Sequence, residues 1–345
     1  MIGLAFLLGY AVLLGAVVPW ALSRAQWVVR APRLAIRLWQ ALSISWLAAI
    51  VLGGVVLMQP WLHSIAGWGR PGIDGLISTA VGAALVVGVL ARVGCVAARE
   101  LRAARGTRRW HAAVLVFAGR RMAGRDAMIL EQDRPAVYCL PGSRRRQRIV
   151  VTTGALRALS GEDLDAVLAH ERAHLHMGHH RLLARSAVLM RSLPVPLFRH
   201  ACREIAILAE MAADDAAARA HGRPALAAAL LRLARAGTPD ATLAAGEYDS
   251  VRRLQRLLAP PPPLGLPWRL AGTGTAAGVL VVPAAPMPAL ASTSSVIPTS
   301  NGAIGRCWAR FSTNRFATSG STSPVAVVAR LSTPPASSAQ RCGRT

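Results

Sequence analysis

Lysine is absent from this sequence: all 40 basic residues are arginine, set against 16 acidic ones, for a formal net charge of +24. So complete a bias reads first as base composition of the gene. The charge raises two partners, nucleic acid and an anionic membrane surface. No nucleic-acid recognition motif is visible, and the densest cluster outside the membrane flanks is Arg144-Arg145-Arg146. A specific nucleic-acid partner is therefore not expected. Paired cysteine motifs are also missing. None of Cys95, Cys139, Cys202, Cys307 and Cys342 forms a C-x-x-C pair, and the count is odd. That disfavours a cysteine-type zinc site and a disulfide framework, leaving free thiols in a reducing compartment as the expectation. No basic residue precedes the first apolar run, which argues against a secretory signal peptide. There are no internal repeats.

What the chain does have is apolar length: 53% of its residues are hydrophobic. Residues 2–22, about 38–58 and about 73–91 are long and apolar enough to cross a bilayer. Arg24, Arg30, Arg33 and Arg37 fill the first loop, whereas residues 59–72 carry only Arg70, with Trp61 and Trp68 suited to an interface. After the third run come Arg92, Arg99, Arg102, Arg105, Arg108 and Arg109. An excess of basic residues marks the cytoplasmic side, so all three loops agree on one topology. The N-terminus lies outside and the segment after the third span lies inside. Residues 268–290 offer a fourth span, weakened by Pro283, Pro286 and Pro288. Residues 291–345 are a Ser/Thr/Pro/Arg/Ala tail without periodicity, expected to be disordered.

Between these lies a stretch, 99–263, with the polarity of a water-exposed domain. Strand-like pieces come first (MILEQD, AVYCL, RIVVTT), with Pro141-Gly142 breaking between the last two. Ser160-Gly161-Glu162-Asp163 has the form of a capping box opening a helix that stops at Gly178. A second long helix fits 203–222, and further helix fits 224–236 and 249–258. The fold class that follows is an α-helical membrane protein carrying a mainly helical α+β domain.

The chemistry concentrates on the first of those helices. His170 and His174 are four apart, so both imidazoles share one face and can bind one ion. Glu171 stands beside them, completing the H-E-x-x-H pattern of zinc peptidases. Glu171 would act as general base toward a water made acidic by zinc. A third protein ligand is required. One candidate is Glu210, which follows the apolar run IAILA, where an unpaired carboxylate would be costly. Asp214, one turn further on, could hold the free N–H of a ligand histidine. The other candidate, His180, lies six after His174, but the spacing pattern that would use it wants glycine where Met177 stands. Glu210 is preferred. His176 and His179 read as surface or helix-end groups. Residues 136–140 are the candidate edge strand for extended substrate, with Tyr138 a core residue before it is an oxyanion donor. Arg219 could brace the acidic cluster or bind substrate, and Arg252 and Arg253 could line the cleft.

Together, the apolar spans, AVYCLPG, RIVVTTGALRALSGEDLDAVLAHERAH and AEMAADDAAAR resemble the BlaR/MecR-type membrane metallopeptidases (family fifty-six of the metallopeptidases), whose core the HtpX and Ste types share. The resemblance covers roughly residues 1–290 and is strongest over 136–219. It implies a mainly helical α+β peptidase domain of zincin type (gluzincin-like), with Zn2+ held by His170, His174 and Glu210, Glu171 as the catalytic carboxylate, and Asp214 as the aspartate of E-x-x-x-D. It also implies a multi-pass protein of the cell membrane, its catalytic domain cytoplasmic, acting on protein or peptide substrates, a BlaI-type repressor among them. The antibiotic sensors of that family carry an acylated serine in S-x-x-K. A chain without lysine cannot contain that motif, so β-lactam sensing is not carried over. A different class of function remains beside the peptidase: a signalling transducer whose metal site is structural or self-processing only.

Overall fold

The computed structural model describes residues 2–67, 69–140, 148–236 and 247–285. Three helices in it are long and apolar enough to cross a membrane: α1 (Ile2–Ser23), α2 (Pro32–Leu57) and α4 (Ile73–Ala118). A short helix α3 (Gln59–Ile65) lies between α2 and α4. The first two match the apolar runs closely. The third does not stop at 91, because nothing breaks it: α4 continues through the arginine-rich stretch for 46 residues, roughly 70 Å of helix. Beyond its apolar part α4 packs on a helix that follows later in the chain. Arg92 donates to the Ser192 carbonyl, and Glu100 pairs with Arg191. Where α2 and α4 cross, a Cβ at Gly82 would lie 2.4 Å from the Gly54 carbonyl oxygen. Only glycine permits that approach, the usual means of packing helices in lipid.

After α4 come four short strands: β1 (Gly119–Arg121), β2 (Met128–Leu130), β3 (Val137–Leu140) and β4 (Arg148–Thr152). The sheet order is β1-β2-β4-β3, with β2 and β4 parallel and the other pairs antiparallel. β3 is thus an edge strand, at the place read from AVYCL. The helices that follow are α5 (Thr153–Ala158), α6 (Gly161–Met177), α7 (His179–Ser192), α8 (Pro196–His221), α9 (Arg223–Ala236), α10 (Glu247–Leu258) and α11 (Leu266–Val281).

Two cores hold this together. One gathers Leu14 and Leu22 of α1, Ala35, Trp39 and Leu42 of α2, and Leu197, Phe198, Ile205, Leu208 and Met211 of α8. Trp46 meets Phe198 edge-on with ring centroids 5.3 Å apart, a favourable aromatic geometry. The other packs β4, α5, α6, α9, α10 and the end of α8 through Ile149, Val151, Ala155, Leu164, Leu168, Ala217, Leu226 and Leu257. α8 therefore belongs to both, and through it the second core sits directly on α1 and α2. This explains why α8 is longer than the 203–222 read from sequence: Pro196 opens it, and its first turns bury Leu197 and Phe198.

α11 occupies part of the expected fourth span. It is 16 residues long and ends in a tight turn at Val282–Ala284. Pro283 cannot donate to the Val279 carbonyl four residues before it. That carbonyl instead accepts from Tyr10 of α1 at 3.0 Å and Ser45 of α2 at 2.6 Å. An apolar surrounding makes such replacement obligatory. The end of that expected span and the tail from 291 lie outside the described residues, as do Pro141-Gly142 and Arg144-Arg145-Arg146. Cys95 and Cys139 carry free thiols; Cys202 is disulfide-bonded, contrary to the expectation of free thiols throughout.

Candidate metal centre

α6 carries the first half of the site. The Ser160 hydroxyl accepts from the Asp163 N–H while the Asp163 carboxylate accepts from the Ser160 N–H, a complete capping box. Gly178 closes the helix with φ 66°, a left-handed conformation open to glycine at little cost. α6 packs along α8, and the two helices turn His170, His174 and Glu210 toward one another. His170 Nε2 lies 3.0 Å from His174 Nε2. Glu210 places Oε2 3.4 Å from His170 Nε2 and Oε1 3.4 Å from His174 Nε2. The three offered ligand atoms all fall within 4.8 Å of one another. His180 is not part of this group.

Around the three stand groups that fix them. Asp214, 1% exposed, approaches His170 Nδ1 at 3.0 Å, within ion-pair range but off the axis of a full hydrogen bond. Arg253 of α10 donates twice to Asp214, at 2.9 and 2.8 Å, and once to Glu210 at 2.8 Å. Of the arginines considered from sequence, Arg253 is the one in place; Arg219 is exposed at the end of α8. His179, expected at the surface, is 2% exposed, and its Nδ1 lies 3.0 Å from Nδ1 of His174. The signal for it was faint: a histidine just past a glycine helix stop, its partner on the preceding helix. His176 is exposed as expected.

The electrostatics follow from burial and these partners. Burial pulls the His170 imidazole down, but Asp214 and Glu210 outweigh it and hold the metal-free ring at about 9. Burial pushes Glu210 up, yet the bonds from His170 and His174 and the charge of Arg253 keep it well below the usual carboxylate range. It is thus an ionised ligand although its surroundings are largely protein. Burial raises Glu171, with His170 and His174 opposing. Burial, reinforced by the charge of His174, takes His179 down to about 4.

β3 borders the site through Cys139, whose thiol bonds to Glu171; burial and that carboxylate push the thiol up to about 12. Side chains alternate along a strand, so Tyr138 faces the other way. It lines a cavity of about 210 Å³ with Trp110, His111, Leu115 and Leu130, on the side of α4, and is not an oxyanion donor for His170 and His174.

Two imidazoles and one carboxylate converging on one point, each held from behind, are the donor set that zinc takes in hydrolytic sites, with one position left for substrate or water. The residues fit that ion, and no other group of three or more potential ligands occurs among the described residues. No curated protein and no solved structure matches the chain. Residues 102–237, which contain His170, Glu171, His174, Glu210 and Asp214, match the model of peptidase family M48, a match that supports a metallopeptidase family.

Proposed function

We propose that the protein is a membrane-anchored, zinc-dependent endopeptidase that hydrolyses peptide bonds of cytoplasmic or membrane-proximal proteins. The observation that carries the reading is the convergence of His170, His174 and Glu210 beside Glu171. Peptidases of family M48 are typically zinc-dependent. His170 and His174 would hold the ion through Nε2 and Glu210 through a carboxylate oxygen. A bound zinc ion supplies Lewis acidity toward a water and a carbonyl oxygen. Glu171 takes the proton of the attacking water and returns it to the departing amine; its burial, which raises its proton affinity, suits both transfers. Asp214 and Arg253 keep His170 and Glu210 aimed. Extended substrate would add to the free edge of β3, which runs past Glu171. A BlaI-type repressor, as in the BlaR/MecR-type proteins, is one such substrate, and lipid surrounds the anchor.

The test is the zinc content of the detergent-solubilised full chain. One zinc per chain in the wild type and a large loss in Glu210→Ala are expected. A variant that keeps its full zinc removes Glu210 from the site, and a zinc-free wild type removes the peptidase reading.

A further inference from the structure

A ligand histidine needs its outer nitrogen held, because the proton there decides which nitrogen offers a lone pair to the metal. In the site proposed above, both histidines turn Nε2 inward, so each must carry its proton on Nδ1. For His170 the group behind Nδ1 is Asp214. Among the described residues no carboxylate stands behind His174. What stands there is a third histidine: Nδ1 of His179, 3.0 Å from Nδ1 of His174, with the rings edge to face at 85°.

Two ring nitrogens at that distance share one proton; two N–H groups would collide and two lone pairs would repel. With His174 committed as a ligand through Nε2, the shared proton is its own. We propose that His179 is a positioning residue: its unprotonated Nδ1 accepts the N–H of His174, fixing the tautomer and ring plane in which His174 presents Nε2 to zinc. This inference rests on the zinc-site reading and deepens it.

The backbone is built for this contact. In an unbroken helix a residue five places past His174 would lie about 140° round the axis, unable to reach it. Gly178, at φ 66°, ends α6, and α7 begins at His179, which folds back against the ring it follows. His179 is 2% exposed, so its ring faces protein and not water. The imidazole pair thus does for the second ligand what Asp214 does for the first, without adding charge beside the carboxylates.

Two variants of the full chain test this, with zinc affinity read by competition against a chromogenic chelator and site geometry by the visible spectrum of the cobalt-substituted protein. His179→Leu keeps the volume and removes the acceptor. His179→Asn puts its Oδ1 where the histidine nitrogen stood. We expect His179→Leu to bind zinc about 10- to 100-fold more weakly, with shifted cobalt bands, and His179→Asn to restore most of the affinity and the wild-type bands. Unchanged affinity in His179→Leu overturns the proposal. So does an equal loss in both variants, which makes the role one of packing. Should His179→Leu fail to fold, His179→Asn alone decides: near-wild-type binding supports the acceptor role, and a folded protein with weakened binding overturns it. A wild type that takes up no zinc is a separate result, because it removes the metal centre itself.

Discussion

Glu171 differs from its neighbours in having no basic side chain bound to it among the described residues; its partner is the Cys139 thiol. Glu210 and Asp214 are both held by Arg253, and their proton affinity falls accordingly. Three carboxylates within one site are thereby sorted by environment: two kept ionised as ligand and brace, one raised toward the range of a working base. Glu171→Gln should therefore keep zinc near one per chain while peptide cleavage falls by at least about 100-fold. Cleavage by this variant at the wild-type rate would remove Glu171 from the reaction. The H-E-x-x-H residues were legible from spacing because they lie on one helix. The contact of His179 and the bracing role of Arg253, named from sequence only as a cleft residue, were not, because each reaches the site from a different helix.

At the scale of the element, α6 is the part on which the site depends, and its ends are defined by a few residues. Asp163 accepts from Ser160 and is paired with Arg232 of α9, so the helix start is also a joint between helices. Burial raises the Asp163 carboxyl, but Ser160 and Arg232 together outweigh burial and leave it lowered. A carboxylate lowered by folding adds stability above its unfolded pKa and loses it as the pH falls through the folded value. Asp163→Ala should thus cost about 1 kcal/mol at neutral pH. The difference in thermal midpoint between wild type and variant should close on acidification. A difference that persists into strong acid would mean that packing, and not the ionised cap, was lost. The cap, the glycine stop and the length of α6 were all readable in sequence. The start of α8 and all of α7 were not, since their apolar residues answer to membrane helices far away in the chain.

For the whole molecule, the main feature is how closely the peptidase region is joined to its anchor. Adjacent aspartates on α8 divide the work: Asp214 faces the site through Arg253, and Asp215 pairs with Arg256, one turn further along α10. Arg256 also donates to the Val29 carbonyl in the loop between α1 and α2 at 2.9 Å. That loop is the arginine-rich one, so in the proposed topology the candidate site lies on the loop's side of the membrane. With Ser64→Cys or Ala25→Cys placed singly in a background cleared of native cysteines, a membrane-impermeant thiol reagent should label Ser64→Cys in intact cells. Ala25→Cys should be labelled only after permeabilisation. The opposite pattern would place the site outside and overturn the cytoplasmic assignment.

Covalent periodicity is what the sequence transmits by itself. It determined the three apolar spans, the strand–helix order from AVYCL onward, and the shared face of His170 and His174, since each depends on residues within one element or one loop. It also pointed to Glu210, because a carboxylate behind IAILA must find a partner. Only the tertiary structure decided what that partner is, that α4 runs on without a break past its apolar part, and that His179 and Arg253 close round the ligands. Those contacts depend on the packing of α6, α7, α8 and α10 against one another, and an inter-helix register leaves no periodic trace in any one helix.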